Sequence, residues 1–240
     1  MQLKSIQAIH KGRVINLELP DKKSIVLNGS RKDCNYILDL SKVMLGVDYN
    51  SSLPYIENRS EDILNDSASM RFTTGSILLK DGSITIQGKI PYIHVVQVTN
   101  NGGISSFLVS QSLNPTGIAV DMTKFSNAIE IADWIRLVEL FNRYAKFECA
   151  ILENNGDNNF SLRFNGLTEE LKTVYLLMSE SFLTPKDYLR VVLLPEINGI
   201  DADRMFELIE LTDNITKLEM IICGADVEIK DGSVITPVNC

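Results

Sequence analysis

Apolar positions along this chain change period several times, and the order of those changes predicts an α/β fold. Between residues 160 and 223 they lay down strand, helix, buried strand, acidic turn, helix and a second buried strand. YLRVVLL, Tyr188 to Leu194, is a near-continuous apolar run rich in β-branched residues, the pattern of a parallel strand covered on both faces. Near the start, SIQAI and VINLEL alternate as strands do, and SIVL before Asn28-Gly29 reads as a buried third strand. Ile37, Leu38, Leu40 and Leu45 predict a helix over residues 36–45. From Met70 to Val98 the period returns to two, and Asp81-Gly82 between SILLK and SITIQ is a strong hairpin signal. A helix is clearest within residues 121–147, with Ile131, Ile135 and Val138 on one face and a flanking core stripe of Trp134, Phe141 and Tyr144. ECAILE and NFSLRF then form a hairpin through NNGDNN. The fold class read from this order is α/β: a mixed sheet with flanking helices and an antiparallel β portion over residues 70–110.

Residues 41–70 carry little pattern and read as a loop or insertion with a solvated acidic face. The KDGS tetrapeptide ending SILLK recurs at residues 230–233, a shared turn solution and not a repeat architecture. With 240 residues and 45% apolar content, a single domain spanning residues 1–240 is expected. No apolar run reaches the length of a membrane span and the opening residues lack a signal-peptide core, which predicts a cytoplasmic protein. Cys34, Cys149, Cys223 and Cys240 have no CxxC spacing and read as reduced thiols, two of them at strand positions. His10 and His94 have no second ligand at metal spacing, so no metal site is expected and both read as packed or surface residues. A net charge of −8 argues against nucleic acid as a direct partner, because phosphate binding needs clustered Lys and Arg.

IVLNGSRKDCNYILDL, residues 25–40, resembles the opening of the ABC-type ATPases related to SMC, RecF and the OLD nucleases, which read LNGxNGxGKSTLLDL after an apolar strand. The resemblance implies a phosphate loop at Asn28, Gly29, Lys32, Asn35 and Tyr36, and an ATP and magnesium site in that family. Its chemistry is altered here. A phosphate loop needs glycines that turn backbone N–H groups inward, a lysine for the β- and γ-phosphates, and a small hydroxyl for magnesium. Counted from Gly29, the second glycine falls on Cys34, the lysine on Asn35 and the hydroxyl on Tyr36; Lys32 stands three positions early.

Later segments resemble the same family. LTEELKTVYLLM, residues 167–178, matches the helix that begins LSxGE, with Thr168 as a cap and Glu170 in place of glycine. VVLLPEINGIDADR, residues 191–204, matches the strand ending in DE: Pro195 replaces the metal-supporting aspartate, and Glu196 falls on the glutamate that polarises water. MIICGADVEI places Gly224, Ala225 and Asp226 where the family has a histidine. Glu196 is thus the one candidate catalytic residue. The first functional reading is a non-hydrolysing, ATPase-like binding or regulatory module without cofactor. Its partner is another protein, an intact ATPase or effector subunit. The alternative is a divergent ATPase subunit using ATP and magnesium in a composite site whose phosphate loop comes from that partner.

Overall fold

The computed structural model describes residues 2–19, 24–28, 30–47, 63–98, 104–113, 115–118, 130–156, 159–183, 188–194, 202–213, 218–223 and 235–239. β1 (Leu3–His10) and β2 (Arg13–Glu18) form a hairpin, and β3 (Ser24–Asn28) leads into α1 (Arg31–Met44). β4 (Ser67–Phe72), β5 (Gly75–Lys80) and β6 (Ser83–Gly88) follow. Then come β7 (Tyr92–Val98), β8 (Ile104–Val109) and β9 (Pro115–Ile118). The second half contains α2 (Ile131–Ala145), β10 (Ala150–Asn154), β11 (Phe160–Phe164), α3 (Glu169–Leu183), β12 (Tyr188–Leu194), α4 (Ala202–Asp213), β13 (Leu218–Cys223) and β14 (Ile235–Asn239).

These strands make three sheets. A seven-stranded mixed sheet has the order β14-β3-β13-β12-β7-β8-β9, parallel from β14 to β7 and antiparallel beyond. A five-stranded antiparallel sheet runs β2-β1-β4-β5-β6, and β10 with β11 forms a separate ribbon. The antiparallel portion expected over residues 70–110 is therefore divided. β4 to β6 join the first hairpin, whereas β7 lies parallel beside β12, because its consecutive buried residues Ile93 to Val98 suit a strand covered on both sides.

Two hairpin turns use the same chemistry. Lys11-Gly12 and Asp81-Gly82 each place both central residues at positive φ, which matches the right-handed twist of the flanking strands. Glycine at the second position accepts that conformation without a Cβ clash.

The central sheet is packed on both faces. On one, Val95, Val191 and Leu193 share a core with Ile37, Leu40 and Val43 of α1 and Ile6, Met70 and Ile77 of the five-stranded sheet. On the other, Val96 and Val192 meet Trp134, Leu137 and Phe141 of α2 and Val174, Tyr175 and Met178 of α3. Phe141, Phe164 and Tyr175 pack edge to face, with ring centroids 4.9 to 6.4 Å apart. Such pairs each contribute about 0.5–1.5 kcal/mol beyond their buried area.

Three local expectations change. α2 buries the aromatic stripe with Leu137, while Ile131 and Ile135 face solvent, so its core face is rotated from the isoleucine face read in the sequence. Within residues 41–70, α1 continues to Met44 and Leu45, Val47 and Ile63 are buried, and β4 begins at Ser67. The solvated acidic face fails at Asp66, which is buried. Cys223 ends β13, but Cys149, within ECAILE, is a buried free thiol just before β10, and Cys34 is a buried free thiol on α1. The second KDGS tetrapeptide lies outside the described residues.

Candidate functional site

Parallel register brings the carboxyl ends of β3, β13 and β12 to one edge of the central sheet. Leu27 of β3 pairs with Cys223 of β13, and Ile222 of β13 pairs with Leu194 of β12. One strand therefore separates the end of β3 from the end of β12. Open α/β sheets bind their ligands beyond such ends. Asn28 closes β3 opposite Asn239 of β14. Gly29 and Glu196, and with them Pro195 and residues 197–201, lie outside the described residues.

Only Gly29 and Ser30 connect β3 to α1. The sequence predicts a helix from Tyr36, but the structure starts it at Arg31, so Lys32, Asn35 and Tyr36 stand on the helix instead of a loop. The physical reason is the cap. Ser30 has extended backbone at the N-cap, and its Oγ accepts from the Asp33 N–H at 3.2 Å. The Ser30 hydroxyl also donates to Asp33 Oδ2 at 2.7 Å, and Arg13 Nη1 donates to Asp33 Oδ1 at 2.9 Å. The Ser30 hydrogen bond, then the bond and charge of Arg13, hold the Asp33 carboxyl below its ordinary pKa against an opposing cost of burial. A helix N-terminus attracts anions through its unpaired N–H groups and dipole. Here that position already carries a carboxylate from the chain itself.

Lys32 is exposed and Asn35 is half-buried. The Tyr36 hydroxyl donates to Asp66 Oδ2 at 2.8 Å, and His10 Nδ1 lies 2.8 Å from the same oxygen. The Tyr36 and His10 rings stack at 4.2 Å between centroids. Burial, then the bond to Asp66, push the phenol well above its ordinary pKa. Tyr36 is therefore a neutral donor, fixed on an internal carboxylate within the second turn of α1.

No family model matches the sequence, and no curated protein matches it. Among solved structures, the SMC head domain from Thermotoga maritima is similar to this chain. The identity is 14%, the match covers 99% of this chain and 98% of that one, and the TM-score is 0.39.

The helix compared with LSxGE is α3. Thr168 Oγ1 accepts from the Leu171 N–H at 3.2 Å, and Leu171, Val174, Tyr175 and Met178 are buried as their spacing predicts. Its two leading carboxylates differ. Glu169 is 92% exposed, whereas Glu170 accepts from the Tyr144 hydroxyl at 3.4 Å and lies 4.0 Å from Arg204 Nε. Arg204 in turn covers the Tyr144 ring at 3.9 Å and donates to Glu207 at 2.6 Å.

A second polar cluster is closed to solvent. His94 Nε2 lies 2.6 Å from Ser106 Oγ, which donates to Glu180 Oε2 at 2.9 Å. With that hydroxyl proton committed to Glu180, the imidazole donates from Nε2. Arg190 Nη2 donates to the Leu177 carbonyl at 2.8 Å. His94 and Glu180 are 0% exposed, so this cluster ties β7, β8 and α3 together and presents no face to a substrate. Sequence reading missed Asp66, Ser106, Glu180 and Arg190. Glu180 and Arg190 did carry a signal: each is a charge inside an apolar helix or strand, and a buried charge requires a partner. Among the described residues, no group of three or more His, Cys, Asp or Glu could hold a metal ion, and no helix is long and apolar enough to cross a membrane.

Proposed function

We propose that the chain is a catalytically degenerate ATPase-like protein of the ABC type, acting as a non-hydrolysing binding or regulatory module for another protein. The observation that carries this reading is the two-residue connection from β3 into α1. A phosphate cradle requires a loop whose N–H groups converge on the anion. Here α1 starts at Arg31, and Asp33, held by Ser30 and Arg13, fills its N-terminus. A nucleotide phosphate would meet that carboxylate at close range, and Tyr36 has its hydroxyl committed to Asp66. Asn35 brings no positive charge to replace the family's lysine, and charge-assisted contacts are among the stronger ones a site offers. The sheet edge persists, so the surface it forms remains available for a protein partner such as an intact ATPase or effector subunit.

Thermal unfolding with and without millimolar MgATP tests this, because a ligand that binds the folded state raises its apparent stability by mass action. No shift is expected, and ATP turnover is expected to be absent. Saturable stabilisation would show that Lys32 or its neighbours hold phosphate after all. Turnover abolished by Glu196→Gln would replace this reading with that of a divergent ATPase. Co-expression with an ATPase encoded beside it that retains intact GKS and DE motifs tests the partner.

A further inference from the structure

We propose that the tip of the β1–β2 hairpin is a strap across the first two turns of α1, fastened at two carboxylates that release as one unit. His10 and Arg13 form the cross-strand pair that closes the Lys11-Gly12 turn, so their side chains leave the same face of the hairpin. That face also carries the Ile6–Leu17 and Ala8–Ile15 pairs, which are buried. At its end the apolar pairs give way to His10 and Arg13.

Both residues reach polar groups on and beside α1. Arg13 Nη1 donates to Asp33 Oδ1 at 2.9 Å, and His10 Nδ1 lies 2.8 Å from Asp66 Oδ2. Tyr36 joins the second fastening, with its hydroxyl on the same Asp66 oxygen and its ring stacked on His10. Asp33 and Tyr36 are three residues apart, neighbours on one side of the helix, so the hairpin tip spans two turns. The Asp66 N–H donates to the Ile63 carbonyl at 2.9 Å, which ties this fastening to the chain entering β4.

The placement of these contacts makes them weak. Arg13 is 59% exposed and the turn residues Lys11 and Gly12 are exposed, so water competes for what holds the tip down. Segments with few buried apolar contacts open below the stability of the whole fold. His10 and Arg13 also exchange backbone hydrogen bonds as the closing pair of the hairpin, so lifting one carries the other. Because α1 begins just after β3, the raised strap bares Asp33 and its neighbour Tyr36 beside the carboxyl edge of the central sheet. This coupling stands whether or not a protein docks at that edge.

Native-state hydrogen exchange, read amide by amide by NMR across low urea concentrations, tests the coupling. In the wild type the Arg13 and Asp66 amides should exchange through one opening, with a common free energy and urea dependence, both below those of the Val192 amide in β12. Arg13→Gln leaves the Asp66 contacts in place, and Tyr36→Phe keeps the ring stack while removing the hydroxyl from Asp66. Each variant should speed exchange of both amides about fivefold, including the one at the fastening it does not touch. Acceleration confined to the altered fastening overturns the proposal. So do unequal openings of the two amides in the wild type, or exchange of both only with Val192 through global unfolding.

Discussion

Arg190 lies directly beside His94 in the parallel ladder between β12 and β7, and the two side chains are 1% and 0% exposed. Both stand on the face of the sheet that α3 covers, where Glu180 is also fully buried. Burial lowers the Arg190 pKa to about 10, while the Glu180 charge raises it. The arginine therefore remains a cation near neutral pH, and the Glu180 charge on the same face favours that form. Removing one of two opposite buried charges on the same face is costly, because the remaining charge loses its compensation in a medium without water.

Glu180→Gln should accordingly destabilise the fold by about 3 kcal/mol. Urea unfolding at pH 7 measures it. Combining Glu180→Gln with Arg190→Met should recover part of the loss, since the double variant buries no unpaired cation. Equal destabilisation by the single and double variants would show that the charges do not act together.

The capped start of α1 leads to a second prediction. Ser30→Ala removes the side chain that accepts the Asp33 N–H and should cost about 1 kcal/mol. Asp33 has a depressed pKa in the folded chain, so its contribution is present above the ordinary value of 3.8 and is lost as pH falls below it. Asp33→Asn should therefore flatten the acid limb of the stability profile. Neither variant should gain MgATP affinity, because opening the cap does not lengthen the connection from β3. Acid titration of stability and a MgATP thermal shift on both proteins check the two halves.

Periodicity made the element order readable, since burial on two faces leaves YLRVVLL and YIHVVQV as continuous apolar runs wherever they pair. It could not show which sheet a strand joins. β4 and β7 both read as strand, yet one completes an antiparallel sheet with β1 and the other lies parallel to β12, a choice made by contacts distant in sequence. At the candidate site, changed residue types at Asn35 and Tyr36 were visible, but the consequence for backbone was not. The motif comparison assumes a loop, whereas the Ser30 and Asp33 interaction makes those same residues the first turns of a helix. Asp66 was unreadable for a related reason: its two partners, His10 and Tyr36, are 56 and 30 positions away.

Alkaline pH should separate three tyrosine environments from the buried arginine. Burial is the largest cause for each of Tyr36, Tyr144 and Tyr175, and it raises their pKa above the ordinary value of 10. The unfolded chain therefore releases those protons first, and stability present below pH 10 is lost as pH rises beyond it. Arg190 acts oppositely: burial holds its folded pKa at about 10, well below the ordinary guanidinium value, so the unfolded chain holds the extra proton and stability gains as pH rises past 10. Well above pH 10, where the unfolded tyrosines and the folded arginine have given up their protons, three protons against one leave a net loss of about 2.7 kcal/mol per pH unit from these four groups. Tyr175 is the informative variant, since its buried hydroxyl has no hydrogen-bond partner among the described residues. Tyr175→Phe should stabilise the protein by about 1 kcal/mol at pH 7, by removing an unsatisfied polar group without opening a cavity. It should also reduce the alkaline slope by about 1.4 kcal/mol per pH unit. Urea unfolding of both proteins at several pH values from about 11 to about 12, where the unfolded phenol is fully ionised, gives the two slopes. Parallel slopes would mean that the Tyr175 phenol ionises alike in the folded and unfolded chains.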